Sequence, residues 1–219
     1  MLRLLFSIVL IVSFSGFLRS QTKTTPHSFD SSLYVQKIDG LRNLYAHKKA
    51  YPTEHELPIL IALSYFPELD STEIVFKEAK ITTTLNARPT LHSLLFKDKS
   101  ERKYIIRINK KHKDGQIFLE EVPFNAKIGL FAHEFSHFID YKEKNTLGIS
   151  QRLVSYAFIK TRARYEKEID RMTVQRGLGR QLYDWSEYVL YESDADRYYK
   201  RMKRLVYLTP PEILFLIED

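Results

Sequence analysis

The stretch FAHEFSHFIDY, residues 131–141, contains side chains that can carry out metal chemistry. His133 and His137 are four residues apart, and Glu134 directly follows the first histidine. Residues i and i+4 of an α-helix lie on one face, so both histidines can bind a single metal ion. Glu134 is rotated by about 100° from His133, which still allows it to reach a metal-bound water. Zinc lowers the pKa of such a water towards 7, and a neighbouring carboxylate can accept its proton.

The alternative is that three polar residues have this spacing by coincidence. The surrounding residues, 128–139, contain no other charged side chain, so the helix is expected to be buried nearly all round. Burying three ionisable groups without partners is costly, and a metal ion removes that cost. The chain has no cysteine, so any ligands must be histidines and carboxylates. We therefore favour one zinc ion per chain over coincidental spacing.

This stretch resembles the active-site helix of zincin metallopeptidases. The resemblance implies that His133 and His137 are zinc ligands and that Glu134 is the general base. It also implies that the helix lies under a small twisted sheet whose edge strand aligns the substrate. The metzincin pattern HExxHxxGxxH does not fit, because Asp140 stands at the glycine position and Glu143 at the last histidine.

Gluzincins take the third zinc ligand from a later helix, often as ExxxD, in which the aspartate supports a ligand histidine. Two stretches match this pattern: EKEID with Glu166 and Asp170, and ESDAD with Glu192 and Asp196. On a helix, the face of Glu166 would contain one basic residue, Arg162. The run EKEIDRMTVQRGLG also resembles the CAAX-prenyl-endopeptidase-like group, where an ExExD helix ends at a glycine. The resemblance favours Glu166 as third ligand and Asp170 as the residue that supports a ligand histidine. Glu192 is the alternative third ligand.

Asp140 lies three residues after His137 on the same helix face. It can orient a ligand histidine, or it can form ion pairs at the surface, and both interpretations stay open. No tyrosine, histidine or arginine is singled out by the sequence as the donor that stabilises an oxyanion. The other histidines considered lack ligand spacing and are expected on the surface or in loops: His47, His55, His92 and His112.

Hydrophobic periodicity outlines the elements that must position the motif. We expect a helix at 33–49, a pair of strands or one bent strand at 73–86, and further strands at 90–96, 103–109 and 117–122. A turn is expected at Asp114–Gly115, and the motif helix at 125–142 with Asn125 as N-cap. Further helices are expected at 150–175, stopped by Gly177 and Gly179, and at 181–205, with a short segment after Pro210. This order predicts an α+β fold with one sheet covered by helices. The resemblance to zincins implies in addition a zincin-like arrangement, with a small twisted sheet packed on the motif helix and further C-terminal helices.

Residues 1–20 have the layout of a secretory signal peptide, with Arg3 followed by an apolar run at 4–18. The run is shorter than the roughly 20 residues that span a bilayer, so we favour a cleaved signal over an N-terminal membrane anchor. An exported chain without cysteine is typical of a periplasmic or secreted bacterial protein. Residues 21–219 are expected to form a single domain, with 21–32 as a loose arm.

The net charge is +7, and removal of residues 1–20, with two arginines and no acid, would leave +5. Basic residues crowd the segment 152–204, which solvated helix surfaces explain, with weak attraction to anionic surfaces as the alternative. Nucleic acid is not an expected partner, because no binding motif is present.

The expected function is a zinc-dependent metallopeptidase acting on peptide bonds of envelope or extracellular proteins, so a peptide or protein is the expected partner. Two alternatives stay open. One is a zincin-fold protein that binds metal and a partner without catalysis, which gives no role to the base Glu134. The other is hydrolysis of non-peptide amide bonds.

Overall fold

A computed structural model describes residues 27–110 and 115–219. The predicted signal segment, the first part of the predicted arm, Asp114 and His112 lie outside these ranges. Within the described ranges, no helix is both long and apolar enough to cross a bilayer.

Four strands form one mixed sheet in the order β1–β2–β4–β3. They are β1 (Lys49–Ala50), β2 (Ile74–Ala79), β3 (Leu85–Pro89) and β4 (Tyr104–Asn109). The pairs β1–β2 and β2–β4 are parallel, and β3 is antiparallel to β4, so β3 lies at one edge. The strand predicted at 103–109 is confirmed. In the segment 73–86, residues 74–79 form β2, and β3 begins only at its end and continues to Pro89.

Ten α-helices lie in the described ranges. They are α1 (Ser31–Val35), α2 (Ile38–Tyr45), α3 (Glu56–Leu63), α4 (Leu91–Phe96), α5 (Phe124–Glu143), α6 (Thr146–Ser155), α7 (Ile159–Thr173), α8 (Gly179–Glu187), α9 (Arg197–Val206) and α10 (Pro210–Glu218). The order of helices, small sheet and C-terminal helices confirms the predicted α+β class.

Helix α5 is the centre of the core and is buried along residues 128–141. The sheet packs on it through aromatic pairs: the ring centroids of Tyr104 and Phe138 are 4.7 Å apart, and those of Phe76 and Phe131 are 6.0 Å apart. Full burial of each such ring contributes on the order of 2 kcal/mol relative to exposure. The near-absence of charge in this stretch is therefore explained by contacts on all sides.

Helix α8 crosses α5 at Gly129. A Cβ atom at this position would lie 2.1 Å from the backbone oxygen of Gln181, well inside van der Waals contact. Only a glycine therefore permits this approach of the two backbones.

The segment 90–96 forms helix α4, so the predicted strand is wrong. The hydroxyl groups of Thr90 and Ser93 lie 2.8 Å apart, and Ser93 also bonds the Lys103 carbonyl. Only Ser93 and Leu94 of this helix are buried. The apolar residues thus do not alternate between two faces of a strand.

The strand predicted at 117–122 is also wrong. The segment contains a 3-10 turn at Leu119–Glu121. The carbonyl of Ile117 accepts a hydrogen bond of 3.0 Å from the Thr84 hydroxyl instead of joining a ladder.

Three predicted helices are each divided in two. The segment 33–49 contains α1 and α2, 150–175 contains parts of α6 and α7, and 181–205 contains parts of α8 and α9. Gly177 adopts a φ of 87° just after α7, which confirms the predicted stop there. Helix α3 was not predicted, because ELPILIAL is apolar all round and shows no period.

Before α1, Phe29 packs into the hydrophobic core, whereas the neighbouring Asp30 is exposed. Phe29 is 4% exposed. The Asn125 side chain accepts a bond from the Phe29 amide and donates one to its carbonyl. Asn125 is therefore not the N-cap of α5, a position that Pro123 occupies.

Candidate metal centre

Helix α5 places His133, Glu134 and His137 at its buried middle. Each side chain is at most 5% exposed. The two imidazole ring centroids are 4.9 Å apart, as expected for residues on one helix face. The histidine pair thus lies inside the protein.

Helix α7 brings Glu166 to these histidines. Its Oε2 atom lies 3.2 Å from His133 Nε2 and 3.4 Å from His137 Nε2. The three candidate ligand atoms lie within 4.8 Å of one another, and in the described ranges this is the group found that could hold a metal ion. A tetrahedral zinc with bonds of about 2.0–2.1 Å separates its ligands by about 3.3 Å, so the two measured distances fit one ion.

Two buried carboxylate oxygens at this point lack a hydrogen-bond partner in the described structure: Oε2 of Glu166 and Oε2 of Glu134. The other oxygen of Glu166 accepts a bond of 2.7 Å from the Tyr156 hydroxyl. A cation between Glu166 and the histidines would satisfy the first unpaired oxygen. The residues therefore fit a metal ion with three protein ligands, which leaves a fourth position open.

Asp170 fixes the ring of His133. Its Oδ1 atom lies 2.8 Å from His133 Nδ1, and its Oδ2 atom accepts a 2.8 Å bond from the Leu208 amide. With Nδ1 held by a carboxylate, Nε2 is the atom directed at Glu166. The predicted supporting position of Asp170 is thus the one it occupies.

Tyr165 fixes the ring of His137. The hydroxyl of Tyr165 lies 3.0 Å from His137 Nδ1 and donates a 3.3 Å bond to Asp140 Oδ2. Asp140 also pairs with Lys144 and, at 3.1 Å, with Arg152. Asp140 therefore contacts His137 through Tyr165 and also forms ion pairs, but at 4% exposure it does not lie at the surface as the second interpretation expected.

The buried groups have shifted pKa values. Burial opposes the charged form of His133, but the hydrogen bond to Asp170 and the nearby Glu166 carboxylate outweigh this and raise the pKa to about 10. Burial also disfavours the Glu166 carboxylate, yet His137 and His133 hold its pKa well below the usual range. Burial raises the pKa of Glu134, partly opposed by both histidines. A metal ion at Nε2 must therefore displace a proton.

Glu192 does not join the group. It lies on the surface at the end of a π-helical turn, Tyr188–Glu192. The chain leaves the helix at Ser193, and Asp196 instead caps α9 by accepting a bond from the Tyr199 amide. The alternative ligand required one continuous helix through ESDAD, and this break removes that geometry.

An outer cleft of about 240 Å³ opens beside the metal centre. Tyr199, Lys203 and Tyr207 line both this cleft and a smaller inner space that contains His133 and Glu134. Burial lowers the pKa of Lys203 to about 8, although nearby carboxylates oppose the shift.

The sequence did not single out Tyr156, Tyr165, Lys203 or Tyr207. Arg162 had one signal, since it is the basic residue one turn before Glu166. The chain contains 14 tyrosines, and no motif or spacing in the sequence distinguishes these three from the others.

Among the described residues, His47, His55 and His92 do not belong to the candidate metal group. His47 and His92 are exposed, as expected. His55 is buried at 4% exposure, and this part of the prediction is wrong. Burial lowers its pKa, so it behaves as a neutral core residue.

Comparisons of the chain with family models, with curated proteins and with solved structures find no match.

Proposed function

We propose that this chain is a zinc-dependent metallopeptidase of zincin-like fold, gluzincin type, which hydrolyses peptide bonds. The observation that carries the proposal is the convergence of His133 Nε2, His137 Nε2 and Glu166 Oε2 beside the unpaired carboxylate oxygen of Glu134. A centre that only held an ion for stability would have no use for a buried, unpaired carboxylate next to it.

His133, His137 and Glu166 would hold one zinc ion. When bound, zinc lowers the pKa of a water molecule and polarises a carbonyl group. Glu134 accepts the proton of the attacking water and passes it to the leaving amine. Its raised pKa suits this shuttle, because the carboxyl group must both take and give a proton.

Tyr207 is the side chain best placed to stabilise the oxyanion. The centroid of its ring lies 5.6 Å from that of His133, and it lines the inner space with Glu134. Burial raises the pKa of its hydroxyl well above the usual value, so the hydroxyl keeps its proton and can donate it in a hydrogen bond.

Strand β3 offers a surface for an extended peptide. It pairs with β4 on one side and lies at the edge of the sheet. Leu85, its first residue, lines the inner space together with Glu134. A substrate that adds a strand along β3 would pass the metal centre.

The test compares the purified protein with Glu134→Gln and Glu166→Ala. We expect about one zinc per chain in the wild type and in Glu134→Gln, and loss of zinc in Glu166→Ala. Peptide hydrolysis should occur in the wild type alone. Zinc binding without hydrolysis of any peptide in a random library would favour the non-catalytic alternative. Absence of zinc from a folded wild type never exposed to chelator would contradict the proposal.

A further inference from the structure

The outer cleft is the place where part of a substrate would lie. Its described lining residues are Thr82, Thr83, Arg162, Tyr198, Tyr199, Met202, Lys203 and Tyr207. Because four of them, Thr83, Tyr199, Lys203 and Tyr207, also line the inner space with Glu134, a group in the cleft would lie directly beside the scissile bond. A volume of about 240 Å³ suits a residue-sized group.

Two cations line this cleft, and its described lining includes no carboxylate. The Lys203 ammonium lies 3.6 Å from the centroid of the Tyr207 ring and 5.1 Å from that of Trp185. The Arg162 guanidinium lies 5.3 Å from the Tyr156 ring centroid. Its Nε atom is buried and has no hydrogen-bond partner in the described structure.

Two other half-buried cations pair with carboxylates, whereas the buried Arg102 donates hydrogen bonds to the carbonyls of Tyr141 and Lys144. Arg176 pairs with Glu68 and Lys167 with Glu212, each at 2.7 Å. In the described ranges, no such ion pair is formed by Arg162 or Lys203. Arg162 and Lys203 are half-buried, and cations partly removed from water without a counter-charge favour an anionic partner.

The metal centre does not supply that partner. The Glu166 carboxylate interacts electrostatically with Arg162, but its Oε2 atom is directed at the histidines. A divalent ion with Arg162 and Lys203 would exceed the three carboxylates Glu134, Glu166 and Asp170 by one positive charge. One further negative charge would balance the loaded centre.

We propose that the substrate carries a carboxylate in the residue that occupies the outer cleft, next to the scissile bond, and that Arg162 and Lys203 recognise it. The guanidinium can bind a carboxylate through two hydrogen bonds, and the ammonium adds a second charge. The carboxylate can be an Asp or Glu side chain or the free C-terminus of a peptide. This inference rests on the proposed peptidase function.

The experiment incubates the zinc-loaded protein with two random peptide libraries, one with free and one with amidated C-termini, and identifies the cleavage products by mass spectrometry. Enrichment of Asp and Glu beside the cleavage site in both libraries indicates an acidic side chain. Cleavage next to the last residue in the free library alone indicates the terminal carboxylate. Either result supports the inference.

Matched peptides then assign the residues. The best cleaved peptide is compared with a copy in which the recognised carboxylate is replaced by its amide, and the ratio of their kcat/KM values is measured. We expect Arg162→Gln and Lys203→Gln each to lower this ratio by about 10- to 100-fold. Arg162→Lys should retain part of the preference for the carboxylate peptide. Arg201→Gln removes an exposed cation of α9 outside the cleft and should leave the ratio unchanged.

Both kcat/KM values are measured on the same sample of each variant. A reduced fraction of folded protein therefore lowers both values equally and leaves their ratio unchanged. Cleavage without preference for a carboxylate, or an equal loss of preference in Arg201→Gln, would overturn the inference while the peptidase function stands. No cleavage by fully zinc-loaded wild type would overturn the peptidase function and this inference with it.

Discussion

Replacement of Asp170 by asparagine should weaken metal binding and the fold together. The two oxygens of Asp170 each face a buried nitrogen at 2.8 Å, His133 Nδ1 and the Leu208 amide. Asparagine has one oxygen and one NH₂ group, so it can accept from only one of these two donors. The other donor then faces a second donor and remains unpaired.

Each orientation of the amide has a measurable cost. If the asparagine oxygen faces His133, the Leu208 amide loses its hydrogen-bond acceptor, which costs about 1–3 kcal/mol in the free energy of unfolding. If the asparagine oxygen faces Leu208 instead, its NH₂ group donates to Nδ1 of His133. The imidazole proton is then favoured on Nε2, the nitrogen that would bind the metal. We therefore expect a 10- to 100-fold loss of zinc affinity, about 1.4–2.7 kcal/mol.

Competition with a chromophoric chelator measures the zinc affinity, and urea denaturation measures the free energy of unfolding. The matched control is Glu168→Gln on the same helix. Glu168 is 44% exposed and pairs with Arg152 at 3.0 Å, so both quantities should change little. A folded Asp170→Asn variant with both quantities unchanged, or equal losses in Glu168→Gln, would refute this reasoning.

Three further outcomes are expected. Glu166→Ala should lose zinc as measured by metal analysis, and Glu192→Ala should keep it; the reverse pattern would contradict the assignment. Gly129→Ala should lower the free energy of unfolding by about 3 kcal/mol or more, because the new Cβ meets backbone, whereas Gly40→Ala, with nothing within 4 Å, should be neutral or slightly stabilising. Since the pKa of His133 is raised from 6.5 to about 10, its contribution to metal-free stability is fully present below pH 6.5 and is lost as pH rises through 10. Urea midpoints in chelator that stay constant from pH 7 to 10.5 would oppose this.

The metal group could be predicted because its information is local. The spacing of His133 and His137 needs only a helix, and the lack of charge around them indicates burial. Glu166 could be proposed because its stretch is one continuous helix. Glu192 seemed a competitor because the π-helical turn and the break at Ser193 leave no clear mark in the sequence.

The supporting contacts could not be predicted, because they depend on how separate helices pack. Tyr165 and Asp140 belong to α7 and α5, and only the crossing of these helices brings them to 3.3 Å. The strand assigned to TLHSLLF failed for a similar reason. Its local pattern suits either element, and the bond from Ser93 to the Lys103 carbonyl is a tertiary contact.

The carboxylate of Asp170 connects His133, a candidate metal ligand, to the chain between α9 and α10. Order at the centre and attachment of the C-terminal helix are therefore thermodynamically linked, since one group serves both. The Leu208 amide becomes an internal reporter: its hydrogen-exchange rate should slow when the ion holds His133 in place. By the same linkage, a change that loosens α10 should weaken binding of the ion.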